Sequence, residues 1–316
     1  MNDVHNMLVN HSYKPSPYRI KTIVEGPKRK VRKISVPKFY PDQIVQWAVL
    51  LQIIQILSKG MDPFTCGSIP GRGISYAARY LKRWLHNDKR DTKYCLKLDI
   101  HRFYPSIQHD RLKAMLRRKF KDPELLSLLD LIIDSTPTGL PIGNVTSQWF
   151  ANFYLQGFDH YVREQLHAKY YIRQMDDMII LGPNKRKLGK IEKAIIAYLD
   201  GIGLQLSERQ KFLVDSRGID FLGYRFFHGK TILRRSLMLR ATRKVKRTAK
   251  RKSWNAHNCG SILAYVGWMK HSDSYNLYQQ RIKPYVKISR LEGVVSNESI
   301  KRNNARKTIS NSTRQE

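Results

Sequence analysis

The sequence predicts an α+β fold of helices and short strands. Apolar residues recur at helical spacing over residues 41–57 and 146–166. Residues 94–100 alternate like a half-buried strand, and residues 170–181 place two apolar runs on either side of a polar tip. The second pattern predicts a hairpin. A chain of 316 residues is long enough for one large domain or for two to three subdomains.

The N-terminal part predicts two short strands followed by two helices. Strand-like runs at 18–24 and 31–36 lie in a basic, proline-containing stretch and precede the helix at 41–57. Glycines and prolines then mark residues 60–74 as a loop. A basic amphipathic helix is expected at 75–85.

The central part of the chain predicts helices on both sides of the hairpin. The segment TPTGLPIG at 136–143 is a loop. The other elements expected here are helices at 108–120, 123–135 and 186–201, a segment at 204–214, and a third strand pair around 218–227.

The C-terminal part is strongly basic. Residues 234–252 contain ten Lys or Arg and no acid, and Leu237, Ala241 and Val245 follow one side of the predicted helix. A helical pair is expected across 258–290. From about residue 293 the chain is polar and basic without periodicity, which predicts a disordered tail.

The charge balance points to a polyanionic partner. Lys and Arg total 58 against 25 Asp and Glu, a formal net charge of +33. Such an excess opposes compaction unless a polyanion neutralises it, and nucleic acid is the usual one. A ribosome-associated protein and a membrane-surface protein are the alternatives that charge alone leaves open.

Cysteine usage and hydropathy favour a cytoplasmic protein. Cys66, Cys95 and Cys259 are too far apart to predict a zinc site or a disulfide framework. The first 20 residues lack the apolar stretch of a signal peptide. No segment approaches the roughly 20 apolar residues that cross a bilayer, so we expect no membrane partner.

Clustered carboxylates are the main chemical signal. Asp99 ends an apolar strand, and Asp176 and Asp177 occupy the tip of the hairpin between two apolar runs. Carboxylates beside buried strands repel one another unless cations neutralise them. Hard oxygen ligands suit Mg²⁺, and two such ions could support an in-line phosphoryl displacement. The structural alternative is an ordinary acidic turn and an unrelated residue at a strand end.

Four blocks make the sequence resemble a reverse transcriptase. KLDIHRFYPSI at 97–107 resembles motif A of that family, and GLPIGNVTSQWFANFYL at 139–155 resembles motif B. QMDD at 174–177 resembles the Y-x-D-D box, and FLGYRF at 221–226 resembles the primer grip. The blocks occur in the family's order. The resemblance implies an RNA-directed DNA polymerase that uses two Mg²⁺ ions, for which Mn²⁺ can substitute.

The resemblance also implies a right-hand architecture. Residues 1–92, with part of 136–157, would form the fingers, and residues 93–230 would form a palm on a ferredoxin-like antiparallel sheet. Residues 231–292 would form a basic helical thumb, and residues 293–316 the disordered tail.

Catalytic roles transfer by motif. The resemblance implies that Asp99, Asp176 and Asp177 are metal ligands, joined by the backbone carbonyl of Ile100. It implies that Tyr104 is a steric gate that excludes a 2′-hydroxyl. The alternative for Tyr104 is a buried aromatic residue next to Phe103.

Binding roles transfer in the same way. Around the incoming deoxynucleotide the resemblance places Arg32, Ile142, Gly143 and Gln148, although Lys28, Arg29, Lys30 and Lys33 compete with Arg32. It places the primer grip at Phe221, Leu222 and Gly223. The thumb residues expected to bind template RNA and the growing cDNA or primer by phosphate contacts are Arg234, Arg235, Arg240, Arg243, Lys244 and Arg247.

Two positions depart from the family. Gln174 occupies the first position of the box, where tyrosine is usual, so the contact with the primer end is expected to differ. Gln210 aligns with the motif D lysine, a proposed proton donor, and Arg209 or Lys211 could substitute.

The motif B segment narrows the resemblance. I-G-N-x-x-S-Q at 142–148 resembles the enzymes of diversity-generating retroelements, which copy a template RNA with errors opposite adenine and use a small accessory protein. Most reverse transcriptases carry a glutamine and a proline where this sequence has Ile142 and Gln148. The two replacements could relax discrimination between nucleotides. The alternatives are a standalone antiphage-defence or prophage reverse transcriptase, and a non-catalytic, maturase-like RNA-binding scaffold.

Overall fold

The computed structural model of the protein describes residues 2–25 and 30–312, with side chains for residues 3–24 and 31–300. The chain forms two compact units, residues 1–217 and residues 218–316. The predicted boundary at residue 230 differs from this division, because the strand pair at 219–226 belongs to the second unit.

The first unit contains both helices and strands, as predicted. Its helices are α1 (Asn2–Val9), α2 (Ile44–Ser58), α3 (Ile74–Asn87), α4 (Phe103–Ser106), α5 (His109–Lys119), α6 (Pro123–Ile133), α7 (Val145–Tyr154), α8 (Gln156–His160), α9 (Lys185–Gly201) and α10 (Val214–Arg217). Its strands are β1 (Arg19–Glu25), β2 (Lys30–Val36), β3 (Thr65–Cys66), β4 (Tyr94–Ile100), β5 (Tyr170–Gln174), β6 (Asp177–Gly182) and β7 (Leu206–Leu213).

A five-stranded sheet forms the centre of the first unit, in the order β3-β5-β6-β4-β7. Strands β4 to β7 pair antiparallel, and helices connect β4 to β5 and β6 to β7. This is the ferredoxin-like arrangement that was predicted. Strand β3 extends the sheet by pairing parallel with β5.

The two faces of the sheet have different compositions. Leu96, Leu98 and Ile100 of β4 are buried in the main hydrophobic core, which includes residues of α2, α5, α7 and α9. The alternate residues Lys97 and Asp99 point to the other face and are half-buried, since successive strand residues face opposite ways. The sheet therefore presents polar groups on the face away from this core.

The expected long helix at 146–166 is wrong. Helix α7 ends at Tyr154, α8 begins at Gln156, and a π-helical turn follows at Tyr161–Gln165. Gly157 lies next to the break, and a Cβ there would be 3.2 Å from the Tyr198 hydroxyl. Glycine weakens a helix by about 1 kcal/mol relative to alanine, which favours a break near this position. The apolar spacing continues across the break, so the sequence pattern alone predicted one long helix.

The second unit combines a small antiparallel sheet with helices. Its elements are β8 (Ile219–Phe221), β9 (Tyr224–Phe226), β10 (Thr231–Leu233), α11 (Arg235–Ala249), α12 (Ala256–Met269), α13 (Tyr275–Arg281) and α14 (Ile288–Ser312), with the strands in the order β8-β9-β10. The predicted strand pair, the basic helix and the following helices are confirmed. Leu237, Ala241 and Val245 form the buried side of α11, as their spacing predicted.

The disordered tail expected from residue 293 is wrong for the described backbone. Helix α14 continues to Ser312, and Leu291 is buried. Val295 lies 4.0 Å from where a Cβ at Gly260 of α12 would be, so the two helices pack closely there. Ile288, Leu291 and Val295 supply a narrow apolar stripe that the surrounding polar residues obscured. Residues 313–316 and the side chains of 301–312 lie outside the described part.

Hydropathy and cysteine placement add two facts. In the described part of the chain, no helix is both long enough and apolar enough to span a bilayer. Cys66, Cys95 and Cys259 are buried free thiols in β3, β4 and α12.

Candidate active site

The structure brings the three predicted carboxylates together at one end of the five-stranded sheet. Asp99 of β4 lies directly opposite Asp177 of β6. Asp176 belongs to the two-residue turn Met175–Asp176 between β5 and β6, here called the acid turn. The Ile100 N–H donates to the Asp176 carbonyl oxygen at 3.2 Å, which ties the turn to the end of β4.

Burial and like charges act on Asp177. The pKa of this carboxyl is raised from 3.8 to about 7, mainly by burial and also by the carboxylates of Asp99, Asp176 and Glu208. Lys97 opposes these effects, and its Nζ lies 3.7 Å from Asp177 Oδ2. Asp177 Oδ1 is buried and accepts no hydrogen bond. Burying a carboxylate oxygen without a hydrogen-bond donor costs free energy, and a bound cation would offset that cost.

An irregularity in the sheet orients Asp99. Asp99 pairs with Glu208 of β7 whereas Ile100 pairs with Leu206, so Ser207 is an extra, unpaired residue. The Ser207 hydroxyl donates to Asp99 Oδ1 at 2.5 Å. Bulges often occur beside active sites, where they re-aim a side chain. Here the bulge fixes one oxygen of Asp99.

Sequence reasoning missed three polar residues of this cluster, Lys97, Ser207 and Glu208. Lys97 lies two residues before Asp99 and therefore shares its sheet face, a signal available from strand alternation. Glu208 and Ser207 could not be found without knowing that β7 pairs with β4. Glu208 also accepts a hydrogen bond from Gln210, the residue at the motif D lysine position.

These residues fit divalent magnesium. Carboxylates from two strands, one of them with an orphaned buried oxygen, supply hard oxygen donors for Mg²⁺, which keeps waters and phosphate oxygens as its remaining ligands. Among the described residues, no three His, Cys, Asp or Glu side chains already form a closed metal-binding group. An open carboxylate site leaves coordination positions for water and for the phosphate oxygens of a nucleotide.

Gln174 of the box packs against a loop. It is half-buried at the end of β5, and its Nε2 would lie 2.5 Å from a Cβ at Gly67. Gln174 Oε1 is buried without a hydrogen-bond partner. Because Gly67 has no side chain, the loop after β3 leaves space for the Gln174 side chain.

Tyr104 belongs to motif A and contacts motif B. It is half-buried in α4, its ring centroid is 5.7 Å from that of Phe103, and its carbonyl accepts a hydrogen bond from Leu140 N–H at 2.8 Å. Burial raises the pKa of the Tyr104 hydroxyl, and the charge of Asp176 raises it further. Tyr104 is thus near the acid turn, and the neighbouring aromatic Phe103 is the residue that enters the core.

The motif B loop docks on strand β2. The Ser35 N–H donates to the Ile142 carbonyl oxygen at 2.8 Å. Gly143 has a φ of 138°, and a Cβ there would overlap the Ser35 carbonyl oxygen and crowd Ile34, so only glycine fits. Ile142 is half-buried and Gln148 is exposed near the start of α7.

Arg32 lies on the same strand as this docking point. It is half-buried on β2, two residues from Ile34 and therefore on the same side of the strand. Its competitors Lys28 and Arg29, and the side chain of Lys30, lie outside the described residues. Lys33 is exposed on the opposite side of β2.

The predicted primer grip is a tight hairpin in the second unit. Phe221 is buried in β8, so only the turn residues Leu222 and Gly223 form the tip. Both have positive φ, 52° and 83°, as in a two-residue hairpin turn. A Cβ at Gly223 would overlap the ring of Trp268, and Arg234 N–H donates to the Gly223 carbonyl oxygen at 2.8 Å.

The six predicted thumb residues divide into two groups. Arg235, Arg240, Arg243 and Arg247 are exposed on α11. Arg234 forms an ion pair with Asp220 through Nε at 2.7 Å, and Lys244 Nζ donates to Asn258 Oδ1 at 2.7 Å. Asp220 and Asn258 of the same chain hold the second group, so the first group is better suited to phosphate contacts.

A ferredoxin-like sheet with carboxylates from β4 and from the β5–β6 turn defines the class of right-hand nucleic-acid polymerases. Residues 19–226, more than half of the chain, match the reverse transcriptase (RNA-dependent DNA polymerase) family. The chain belongs to that family. The predicted α+β, right-hand polymerase fold is confirmed.

Known proteins support this placement. The chain is 26% identical over 170 residues to Protein YkfC of Escherichia coli, covering 50% of this chain and 44% of that protein. It is 32% identical over 109 residues to the Retron Ec73 reverse transcriptase of Escherichia coli, covering 30% of this chain and 34% of that one. The chain thus spans less than half the length of either relative.

The fold is also similar to a solved polymerase structure. The apo telomerase of Candida tropicalis superposes with a TM-score of 0.55 over 88% of this chain and 62% of that chain, at 12% identity. A likeness at this identity concerns the fold alone.

Proposed function

We propose that the protein is an RNA-directed DNA polymerase. The observation that carries the proposal is the acid cluster, in which Asp99 and Asp177 face each other across paired strands and Asp176 occupies the adjoining turn. This arrangement occurs in a chain that belongs to the reverse transcriptase family. Template RNA, a primer or growing cDNA, and deoxynucleoside triphosphates are the proposed partners.

The proposed catalytic residues are Asp99, Asp176 and Asp177, with the Ile100 carbonyl as a further oxygen donor. Two Mg²⁺ ions, when bound by these oxygens, would activate a 3′-hydroxyl and stabilise the leaving pyrophosphate. Ser207 and Lys97 prepare the site: the first orients Asp99, and the second offsets the negative charge on Asp177. The cluster therefore concentrates negative charge that a cation can neutralise.

The proposed nucleotide-binding residues lie in the motif B loop or on the elements next to it. Arg32 would grip the triphosphate, and Tyr104 beside Asp176 would exclude a 2′-hydroxyl. Ile142, Gly143 and Gln148 would form the floor below the templating base. The hydrogen bond from Ser35 to Ile142 supports this grouping, because it joins the strand that carries Arg32 to the loop.

The decisive experiment is extension of a primed RNA template with deoxynucleotides and Mg²⁺, followed by sequencing of the products. Activity should be lost in Asp176→Ala and retained in Asp200→Ala, which removes an exposed carboxylate of α9. An RNA-binding scaffold would bind the template equally well in all three proteins and extend nothing. That result would refute the polymerase proposal.

We further propose that synthesis is error-prone, as in a diversity-generating retroelement. The support is sequence-based: Ile142 and Gln148 stand where a glutamine and a proline are usual, and Ile142 is half-buried within the docked loop. Lost shape and hydrogen-bond constraint there would reduce discrimination between nucleotides. Ile142→Gln should lower misincorporation opposite template adenine, and unchanged error rates would contradict the proposal.

The alternative within the same family is a standalone antiphage-defence or prophage enzyme. Gene neighbourhood separates the two: a nearby template and variable repeat pair with a small accessory gene favours the retroelement. In the defence alternative, Ile142→Gln would leave the error spectrum unchanged while phage plating changes with Asp176→Ala.

A further inference from the structure

A buried arginine lies directly beneath the acid turn. Arg173 of β5 pairs with Met178 of β6, whereas the next residue, Gln174, pairs with Asp177. Because strand residues alternate, Arg173 faces the core side of the sheet and Asp177 faces the other side. Arg173 is fully buried, and it is the largest side chain in the described core with that property.

Arg173 belongs to a network of buried polar groups. Its Nε and Nη2 donate to the two oxygens of Asp159 at 2.8 and 2.6 Å, and Nη1 donates to Asn152 Oδ1 at 3.1 Å. Asp159, also fully buried, accepts two further hydrogen bonds, from Tyr171 at 2.5 Å and from Thr65 at 2.7 Å. Both charged groups are therefore well satisfied within the core.

The network holds the acid turn by its backbone. Arg173 Nη1 donates to the Met175 carbonyl oxygen at 2.9 Å, and Met175 N–H donates to the Cys66 carbonyl oxygen at 3.4 Å. Met175 has a φ of 57°, as the first residue of a two-residue hairpin turn does, and this conformation is uncommon for a non-glycine residue. The peptide bond after Met175 leads to Asp176, so the direction of that carboxylate depends on the orientation that Arg173 gives to the Met175 carbonyl.

Fold stability alone does not require an ion pair at this place. A buried ion pair contributes little net stability relative to apolar residues of similar volume, because desolvation of the two charges offsets their attraction. Its distinctive property is geometric, since the planar guanidinium fixes several acceptors at once. Besides Asp159, Arg173 has two acceptors, Asn152 Oδ1 and the Met175 carbonyl oxygen, and the second of these lies in the acid turn.

We propose that Arg173, anchored by Asp159, is a positioning residue that sets the geometry of the acid turn for divalent-metal binding. The proposal rests on the proposed function for the metal's role in catalysis. It concerns Arg173 itself, which contacts neither the nucleotide nor the reacting atoms. Outer groups that orient metal ligands typically change metal affinity or activity about 10–100-fold when they are removed.

The test measures metal binding without turnover. Mn²⁺ binding to the full chain is followed by electron paramagnetic resonance of the free ion, and Asp177→Asn identifies the part of the signal that belongs to the acid cluster. Arg173→Lys keeps the charge but cannot bind Asp159 by two bonds and Met175 at the same time. We expect it to weaken Mn²⁺ binding about tenfold and to raise the Mg²⁺ concentration for half-maximal extension similarly.

The matched control is Tyr171→Phe. This variant removes one hydrogen bond to Asp159 from the same network and leaves the bond between Arg173 and Met175 in place. It should lower the melting temperature without changing Mn²⁺ affinity more than about twofold. Equal loss of Mn²⁺ affinity in Tyr171→Phe and Arg173→Lys would show a general packing effect and overturn the proposal, as would unchanged affinity in Arg173→Lys.

A second variant covers the case in which Arg173→Lys does not fold. Arg173→Gln combined with Asp159→Asn replaces the ion pair by two neutral amides, so no unpaired charge remains buried. The shorter glutamine cannot reach the Met175 carbonyl, and the same tenfold loss of Mn²⁺ affinity is expected. Wild-type affinity in this double variant would refute the proposal. A wild-type chain that binds Mn²⁺ yet extends no primer would refute the polymerase function instead, and the Mn²⁺ titrations would still decide the role of Arg173.

Discussion

Two hairpin tips, one in each unit, reach a similar backbone shape by different means. The acid turn has Met175 at a φ of 57°, and the tip of the β8–β9 hairpin has Leu222 at 52° followed by Gly223 at 83°. The acid turn is held by a buried guanidinium that donates to its carbonyl. The β8–β9 tip is held by glycine and by the ring of Trp268.

The difference follows from what each tip carries. The Asp176 carboxylate of the acid turn and the adjoining Asp177 and Asp99 repel one another, and a charged side chain anchors the backbone of the turn. The β8–β9 tip carries no charge, and the ring of Trp268 and one backbone hydrogen bond, from Arg234 N–H to the Gly223 carbonyl oxygen, hold it. A charged side chain therefore anchors the tip where charge is concentrated, and substitutions at both tips can test this difference.

The largest expected effect is at the acid cluster. Asp177→Asn should reduce primer extension by at least about a thousandfold, since it removes a proposed metal ligand. The same variant should raise the melting temperature of the metal-free protein by about 2–5 °C at pH 8, because it removes a buried, repelled charge. Extension assays and thermal unfolding in a chelator measure the two outcomes.

The gain in stability should depend on pH. With the pKa of Asp177 raised to about 7, the folded wild type keeps this carboxyl protonated at pH 5 and must ionise it at pH 8. A group with a raised folded pKa contributes stability that is lost as the pH rises through that value. The advantage of Asp177→Asn should therefore shrink at pH 5, and a constant advantage across this range would contradict the pKa.

The next effect concerns the β8–β9 tip. Gly223→Ala should destabilise the protein by about 2–3 kcal/mol, because alanine is strained at positive φ and its Cβ overlaps Trp268. Gly229→Ala is the matched control, since nothing lies within 4 Å of a Cβ there. Urea unfolding measures both. Similar stability in the two variants would mean that Trp268 does not hold this tip.

Sugar selection at the acid turn should be affected more moderately. Tyr104→Val removes the ring beside Asp176, and we expect about 10–100-fold more incorporation of ribonucleotides relative to deoxynucleotides. Phe103→Leu, which changes the buried neighbour, should alter stability and leave the ratio unchanged. Single-nucleotide incorporation kinetics provide the measurement. An unchanged ratio in Tyr104→Val would assign the tyrosine to packing.

The smallest effect is expected on α11 in the second unit. Replacing exposed Arg240 by alanine should reduce the slope of log affinity against log salt by about one. Arg234→Ala, which loses the ion pair with Asp220, should lower stability and leave the slope unchanged. Filter binding of a primed RNA at several salt concentrations separates the two variants, and equal slopes in all proteins would exclude Arg240 from the interface.

The resemblance to reverse transcriptases placed Asp99, Asp176 and Asp177 in one site, and sequence patterns predicted most elements of the fold. These predictions worked because alternation and helical spacing are local signals. The break at Leu155 and helix α14 were missed, since one glycine and a narrow stripe led by Leu291 change the spacing little.

The anchoring of the site was beyond sequence reasoning. Arg173 lies within three residues of Asp176, yet an arginine next to a catalytic box predicts an exposed, nucleic-acid-binding group. Its burial depends on Asp159 and Asn152, which approach from other elements only in the folded chain. Strand pairing likewise placed Glu208 and Ser207 beside Asp99.

The contact between Gly143 and Ser35 has a mechanical consequence. The close approach at Gly143 and the hydrogen bond from Ser35 to Ile142 couple the position of strand β2 to that of the motif B loop. If Arg32 binds a triphosphate as proposed, the pull on β2 is transmitted to the loop beneath the templating base. Binding of the triphosphate and adjustment of the loop that checks the base pair would then occur as one coupled movement.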